Sequence, residues 1–192
     1  DHPDGALYVS DVDDAIHYLV DARTGENDGG ANGATYDLQG RVVWCEQDVY
    51  RVVRREHDES WTVLASEYNG VRLNRSNDVV GRSDGSLYFS DPQFLMEPGD
   101  RLIGTSSVFR VDPEGGLHEA GTDMPHPNGL AFSPEENTLY VANSDASQAV
   151  WMAYDVGADG LTNARVLLDV TGHPDAGGAD GLKVDRQGHL FA

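Results

Sequence analysis

Four dipeptides that begin with an amide or a carboxylate recur at one offset along this chain. They are Asn32-Gly33, Asn77-Asp78, Asn128-Gly129 and Asp180-Gly181. Each first residue stands eight positions before a turn residue: Gly40, Gly85, Glu136 and Gly188. Amide carbonyls and carboxylates are hard oxygen donors, suited to Ca2+ or Mg2+ rather than to soft metals. Asn-Gly and Asp-Gly are also good turn formers, so one copy alone implies no more than a turn. The equal offset in every copy favours a second reading: donors repeated in space and pointing at a common centre.

Such donors need a scaffold that repeats. Five related lines run along the chain: "DHPDGALYVSD", "YDLQGRVVWCEQ", "GRSDGSLYFSD", "FSPEENTLYVANSD" and "VDRQGHLFA". Each is a polar turn followed by an alternating apolar strand. A short strand precedes each of the last four turns ("ATYD", "VVGR", "LAFS", "LKVD"). Further strand-like runs follow: "VYRVVRRE", "WTVLAS", "SVFRVD", "AVWMAYDV" and "ARVLLDV". Units of about four antiparallel strands at this spacing are β-propeller blades. Their inner strands line a central channel, which places the recurring Asn and Asp at one mouth of it. The chain therefore reads as all-β, with residues 1–192 forming a single propeller domain. About four blades are visible, incomplete at both ends.

The remaining bulk properties narrow the partners. With 33 acidic residues against 13 Lys and Arg, the formal charge is −20, a field that repels nucleic acid and anionic membranes. A solubilising surface is the plain reading of that charge, and adaptation to salt the narrower one. The longest apolar runs are too short for a membrane-spanning helix. Cys45 is the sole cysteine; in the apolar run "RVVWCEQ" it reads as a buried structural thiol. One free cysteine and no visible leader point to a cytoplasmic location. The charge leaves the oligomeric state open.

The ordered set "RLNRSNDVVGRSDGSLYFSDP", "PHPNGLAFSPEENTLYVANSD" and "GGADGLKVDRQGHLFA" resembles the family of senescence marker protein, gluconolactonase and luciferin-regenerating enzyme. The resemblance runs along nearly the whole chain. It implies a six-bladed β-propeller with one divalent cation at the top of the channel, usually Ca2+, with Zn2+, Mg2+ or Mn2+ as alternatives. The matching ligands are Asn77 of "SND", Asn128 of "PNG" and Asp180 of "ADG". A Glu ligand that precedes the first hairpin in the family falls before this chain begins, so this fragment alone is expected to be inactive. The implied activity is that of a lactonase, a carboxylic ester hydrolase acting on a sugar lactone such as gluconolactone. The metal polarises the carbonyl, and Asp180 doubles as general base toward water.

Three further residues are candidates for substrate contact. Arg75 lies two residues before Asn77, on the same side of an extended segment. Asp145 ends the second strand of its unit, as Asp91 does in the unit before, so both are expected at the same mouth. His126 stands just before Asn128, as His173 precedes Asp180. Asn32 shares the offset, but the resemblance assigns it no ligand role, and Asp78 reads as a local hydrogen-bonding residue. Two other functions remain open: a propeller that binds a peptide or polysaccharide without catalysis, and a related hydrolase of aryl lactones or organophosphate esters. A serine hydrolase is disfavoured because no G-x-S-x-G elbow is present.

Overall fold

The computed structural model describes residues 8–11, 18–21, 31–93, 103–121, 124–173 and 178–192. All regular structure there is β, apart from two single 3-10 turns, Gln47–Val49 and Ala146–Gln148. Strands β1 (Tyr8–Asp11) and β2 (Tyr18–Asp21) form an antiparallel pair. Three four-stranded sheets follow. The first is β3 (Ala31–Tyr36), β4 (Val42–Glu46), β5 (Arg51–Arg55) and β6 (Trp61–Ala65). A two-stranded ribbon, β7 (Glu67–Tyr68) and β8 (Val71–Arg72), precedes the second sheet, which is β9 (Val79–Gly81), β10 (Leu87–Asp91), β11 (Ser107–Val111) and β12 (Leu117–Gly121). The third is β13 (Pro127–Phe132), β14 (Thr138–Asn143), β15 (Val150–Gly157) and β16 (Gly160–Asp169), and β17 (Lys183–Val184) with β18 (Leu190–Phe191) opens another.

Every sheet is an antiparallel meander in chain order, which is the blade of a propeller. We refer to the three complete sheets as the β3, β9 and β13 blades. Their first strands touch in succession, β3 on β9, β9 on β13 and β13 on β17, so these are the inner strands. The core lies between blades, as face-to-face sheet packing requires. Val43, Cys45, Val52, Leu73, Val79, Phe89 and Phe109 fill the first gap, with the Phe89 and Phe109 rings stacked at 5.5 Å. Tyr88, Val108, Leu130, Leu139, Val141 and Tyr154 fill the next. Cys45 is inside this packing, and burial pushes its thiol well up, which suits a structural rather than a nucleophilic role.

The turns between first and second strands are one device repeated. In the β3 blade, Gly40 N donates to Asp37 O and Asp37 N to Arg41 O, both at 3.0 Å, while the Asp37 carboxylate accepts from Gln39 N and Arg41 N. The fourth turn residue is left-handed, φ 72° at Gly40, where glycine carries no Cβ penalty. The β13 blade keeps the geometry with Glu136 at φ 54°. Its carboxylate reaches across to Ser83 N in the turn of the β9 blade, at 3.0 and 3.1 Å. A strained backbone is there held against a cross-blade contact.

Candidate functional site

The first three of the recurring dipeptides sit on β-bulges. In the β3 blade, Ala31 faces Glu46 and Ala34 faces Trp44, so the inner strand carries one extra residue at Asn32-Gly33. The β13 blade repeats this between the pairs Pro127 with Asn143 and Leu130 with Val141, at Asn128-Gly129. In the β9 blade, Asn77 N donates to Ser90 O at 2.9 Å and Ser90 N to Asp78 O at 3.0 Å, so two residues oppose one. A bulge re-aims the side chain it carries, and that accounts for a shared offset from the turn.

The bulges also touch across blade boundaries. Gly33 N donates to Asn77 O at 2.7 Å, and a Cβ on Gly33 would lie 2.6 Å from Asp78 Cα. Gly129 has the same relation to the next copy, since its Cβ would lie 2.3 Å from Asp180 O. Asp78 closes the interval between them. Its Oδ1 accepts from Val79 N at 2.8 Å and its Oδ2 from Leu130 N at 2.9 Å, in the neighbouring blade. Burial pushes the Asp78 carboxyl up and nearby Asp180 adds to that, against the pull of Lys183 and the two N–H groups. The local bonding expected of Asp78 is present, and a bond between blades is added to it. Asn32, Asn77, Asn128 and Asp180 thus open consecutive strands that are in backbone contact.

Their side chains differ. Asn128 is buried, its Nδ2 donates to Ser144 Oγ at 2.8 Å, and its Oδ1 is enclosed with no hydrogen-bond partner among the described residues. An orphaned buried carbonyl carries a desolvation cost of about 1–3 kcal/mol, which a hard cation would offset. Asn77 is also buried, and its amide makes no hydrogen bond among the described residues. Asp180 is exposed, at the head of the segment leading into β17. Two amide carbonyls and a carboxylate are a donor set that fits Ca2+ or Mg2+, with room for further oxygens.

Arg75 is held from the preceding blade. Its Nη2 bonds Asp48 Oδ1, and Gln47, with its amide oxygen turned toward the guanidinium, accepts from Nε at 3.1 Å and Nη2 at 3.2 Å. The other end of the Gln47 amide meets the Asn32 amide at 2.5 Å. Arg75 Nη1 has no partner among the described residues. Asp145 caps the turn Ala146–Gln148, accepting from Ser147 N at 2.8 Å and Ser147 Oγ at 2.7 Å, and these bonds hold its carboxyl below the usual range. His126 is half-buried; its backbone N donates to Asn143 Oδ1 and its O accepts from Ser144 N. It stands close enough to Asp145 to favour the charged carboxylate.

Asp91 is placed differently from the expectation. It is not a loop residue at the mouth but the fully buried last residue of β10, and its register equivalent is Asn143, not Asp145. Its Oδ2 accepts from Asn74 N and its Oδ1 from Ser76 Oγ, both at 2.8 Å, so it clamps the residues on either side of Arg75. Burial pushes its carboxyl up to about 7, against the pull of those donors. Asn143 Oδ1 accepts from His126 N in the equivalent segment of the next blade, and its Nδ2 donates to Gln148 O in the turn after β14. Asp48 and Ser144 were missed in the sequence. Aligning the ends of the second strands, Glu46, Asp91 and Asn143, would have found both, since Asp48 and Ser144 stand two and one residues beyond.

The four-stranded antiparallel blades and their bulged inner strands define a β-propeller. Residues 1–192 match the family described as "SMP-30/Gluconolactonase/LRE-like region", and the chain belongs to it. It is 34% identical over 175 residues to a gluconolactonase of Zymomonas mobilis, covering 85% of this chain and 49% of that protein. It is 25% identical over 199 residues to a pentonolactonase of Haloferax volcanii, covering 100% and 63%. Its fold superposes on the structure of a gluconolactonase from Xanthomonas campestris with a TM-score of 0.78 at 32% identity, over 96% of this chain and 64% of that one. The chain thus spans about half to two thirds of the length of these relatives. The described sheets match part of the family's six-bladed propeller.

Proposed function

We propose that this chain carries the cation-binding and substrate-binding face of a lactone hydrolase. The observation that supports it best is the orphaned Oδ1 of Asn128, buried on the inner strand between those that Asn77 and Asp180 open. Asn77, Asn128 and Asp180 would hold a divalent cation, Ca2+ by the hardness and neutrality of two of the three donors. Such a cation, when bound, supplies Lewis-acid stabilisation of charge at a carbonyl oxygen. The residues supply the rest. Arg75, braced by Asp48 and Gln47, turns Nη1 to the hydroxyl or carbonyl oxygens of a sugar lactone. The exposed Asp180 carboxylate takes the proton of the attacking water and returns it to the ring oxygen as the acyl C–O bond breaks. His126 and Asp145 stand at the rim, where the substrate's remaining hydroxyls would lie.

The relatives named for gluconolactone and pentonolactone support a sugar lactone as substrate class and leave its ring size open. The test is hydrolysis of δ-gluconolactone by the full-length gene product, with and without chelator. Turnover should vanish on chelation and return with Ca2+. Asp180→Asn should lower kcat by about 10²–10⁴-fold with an unchanged melting temperature. Turnover indifferent to chelator, or a near-normal Asp180→Asn variant, rejects the reading.

A further inference from the structure

An asparagine is an oxygen ligand only if its amide faces the right way. Turned by half a circle, it presents an NH2 group, which repels a cation, and the two orientations have nearly the same shape. Asn128 lies in a buried position where, among the described residues, one neighbour can tell its two ends apart. That neighbour is Ser144, whose Oγ lies 2.8 Å from Asn128 Nδ2. A serine hydroxyl has a single proton. Ser144 Oγ also bonds the backbone carbonyl of Ala179, and a carbonyl can only accept. The hydroxyl proton is therefore committed to Ala179 O. The lone pairs left on Oγ can bond Asn128 only as acceptor, so the amide nitrogen must face Ser144 and Oδ1 must face away from it. That Oδ1 is the atom found buried and unpartnered.

Ser144 is itself fixed. Its N donates to His126 O at 2.9 Å, directly beyond the end of β14, where Asn143 anchors the strand to His126 N. The carbonyl it bonds belongs to the residue immediately before Asp180, in the neighbouring blade. One hydroxyl thus touches both the Asn128 amide and the segment that carries Asp180, across the boundary that Gly129 closes.

We propose that Ser144 is a positioning residue of the cation site: it sets the direction of the Asn128 amide and ties it to the Asp180 segment. This rests on the cation reading above. The experiment is Ca2+ titration by calorimetry on the full-length gene product, in two backgrounds. With Asn128 intact, Ser144→Ala should weaken Ca2+ binding by about 10–100-fold, and Ser144→Thr, which keeps the hydroxyl, should restore most of it. In an Asn128→Asp background both ends of the side chain are oxygens, so direction no longer matters and Ser144→Ala should add only a few-fold loss. Equal losses in the two backgrounds would make Ser144 a packing residue and overturn the role, as would no loss in the first. Melting temperatures of the cation-free proteins report whether each variant folds, and the Thr variant keeps the test open if Ala does not. Absence of Ca2+ binding by the unmutated protein rejects the cation reading itself, and the role of Ser144 with it.

Discussion

Asn32 and Asn128 open two copies of the same bulge, and the hydrogen-bond chains that hold their amides end in opposite kinds of group. Each is followed by a glycine packed flush on the backbone of the next blade. Each amide bonds the residue just past the second strand, Gln47 in one copy and Ser144 in the other. The difference lies one bond further on. Ser144 ends on a carbonyl, which only accepts. Gln47 ends on Arg75, which only donates. With its oxygen on Arg75, Gln47 presents its nitrogen to Asn32, and an Asn32 amide that meets it with oxygen leaves its own nitrogen outward. The backbone repeat makes both positions available, and the last group in each hydrogen-bond chain decides which becomes an oxygen donor.

That contrast is most directly broken by truncating the two amides in turn. Asn128→Ala should reduce Ca2+ affinity by about 100-fold, the loss expected for a direct charge-assisted ligand of roughly 2–3 kcal/mol. Asn32→Ala should change it by less than about threefold, an effect under 1 kcal/mol. Calorimetric titration of both variants decides the matter. Comparable losses would put Asn32 in the ligand set and contradict the directions derived from Gln47 and Ser144.

A second pair asks whether the scaffold is as symmetrical as the chemistry is not. A Cβ on Gly129 would lie 2.3 Å from Asp180 O and 2.7 Å from Gly181 Cα; on Gly33 it would lie 2.6 Å from Asp78 Cα and 2.9 Å from Asn77 O. All four contacts are to backbone, which cannot swing aside as a side chain does. Gly33→Ala and Gly129→Ala should each cost about 1–3 kcal/mol of stability by overpacking, measured by urea denaturation without added metal. Both should also weaken Ca2+ binding, Gly33→Ala by moving the Asn77 segment and Gly129→Ala by moving the Asp180 segment. A destabilised Gly33 variant with an intact cation affinity would remove Asn77 from the ligand set.

The blades were legible in the sequence because turn and strand signals repeat. Gly40, Gly85 and Gly188 mark left-handed turn positions, and the alternating runs after them are strands at the expected places. The offset shared by Asn77 and Asn128 corresponds to a bulge in each of their blades, and Asp180 stands in the segment that leads into the next inner strand. The ribbon β7–β8 went unread, although its turn is Asn69-Gly70, both at positive φ, the pattern of a tight two-residue hairpin. What could not be read was direction. Whether an amide offers oxygen or nitrogen depends on Ser144, Gln47 and Ala179, and those contacts cross blade boundaries that the local pattern does not encode. Asp91 failed for a related reason: "SDP" looks like a polar loop, and only the register of β10 with β11 shows its carboxyl to be inside.

Asp91 supplies the last test, since the β13 blade shows what an amide does at its position. Asp91 and Asn143 both clamp the segment that leads to a bulge, one through a carboxyl and the other through an amide. The Asp91 carboxyl stands at about 7 in the folded protein because of burial, against about 3.9 in the unfolded chain. The folded state therefore holds a proton over that window which the unfolded state has lost. By linkage, this group's contribution is fully present below about pH 4 and declines as pH rises to about 7. Asp91→Asn removes the titration. At pH 5 the variant should be less stable than the parent by about 1 kcal/mol, since an amide matches the Asn74 N and Ser76 Oγ donors less well than a carboxyl that can rotate its proton. At pH 8 the parent bears the cost of a buried charge, and the deficit should vanish or reverse. Urea denaturation of both proteins at the two values, in chelator, measures it. A difference that stays constant with pH would show that Asp91 remains ionised throughout, held by its two donors, and that the clamps in the two blades differ in charge as well as in chemistry.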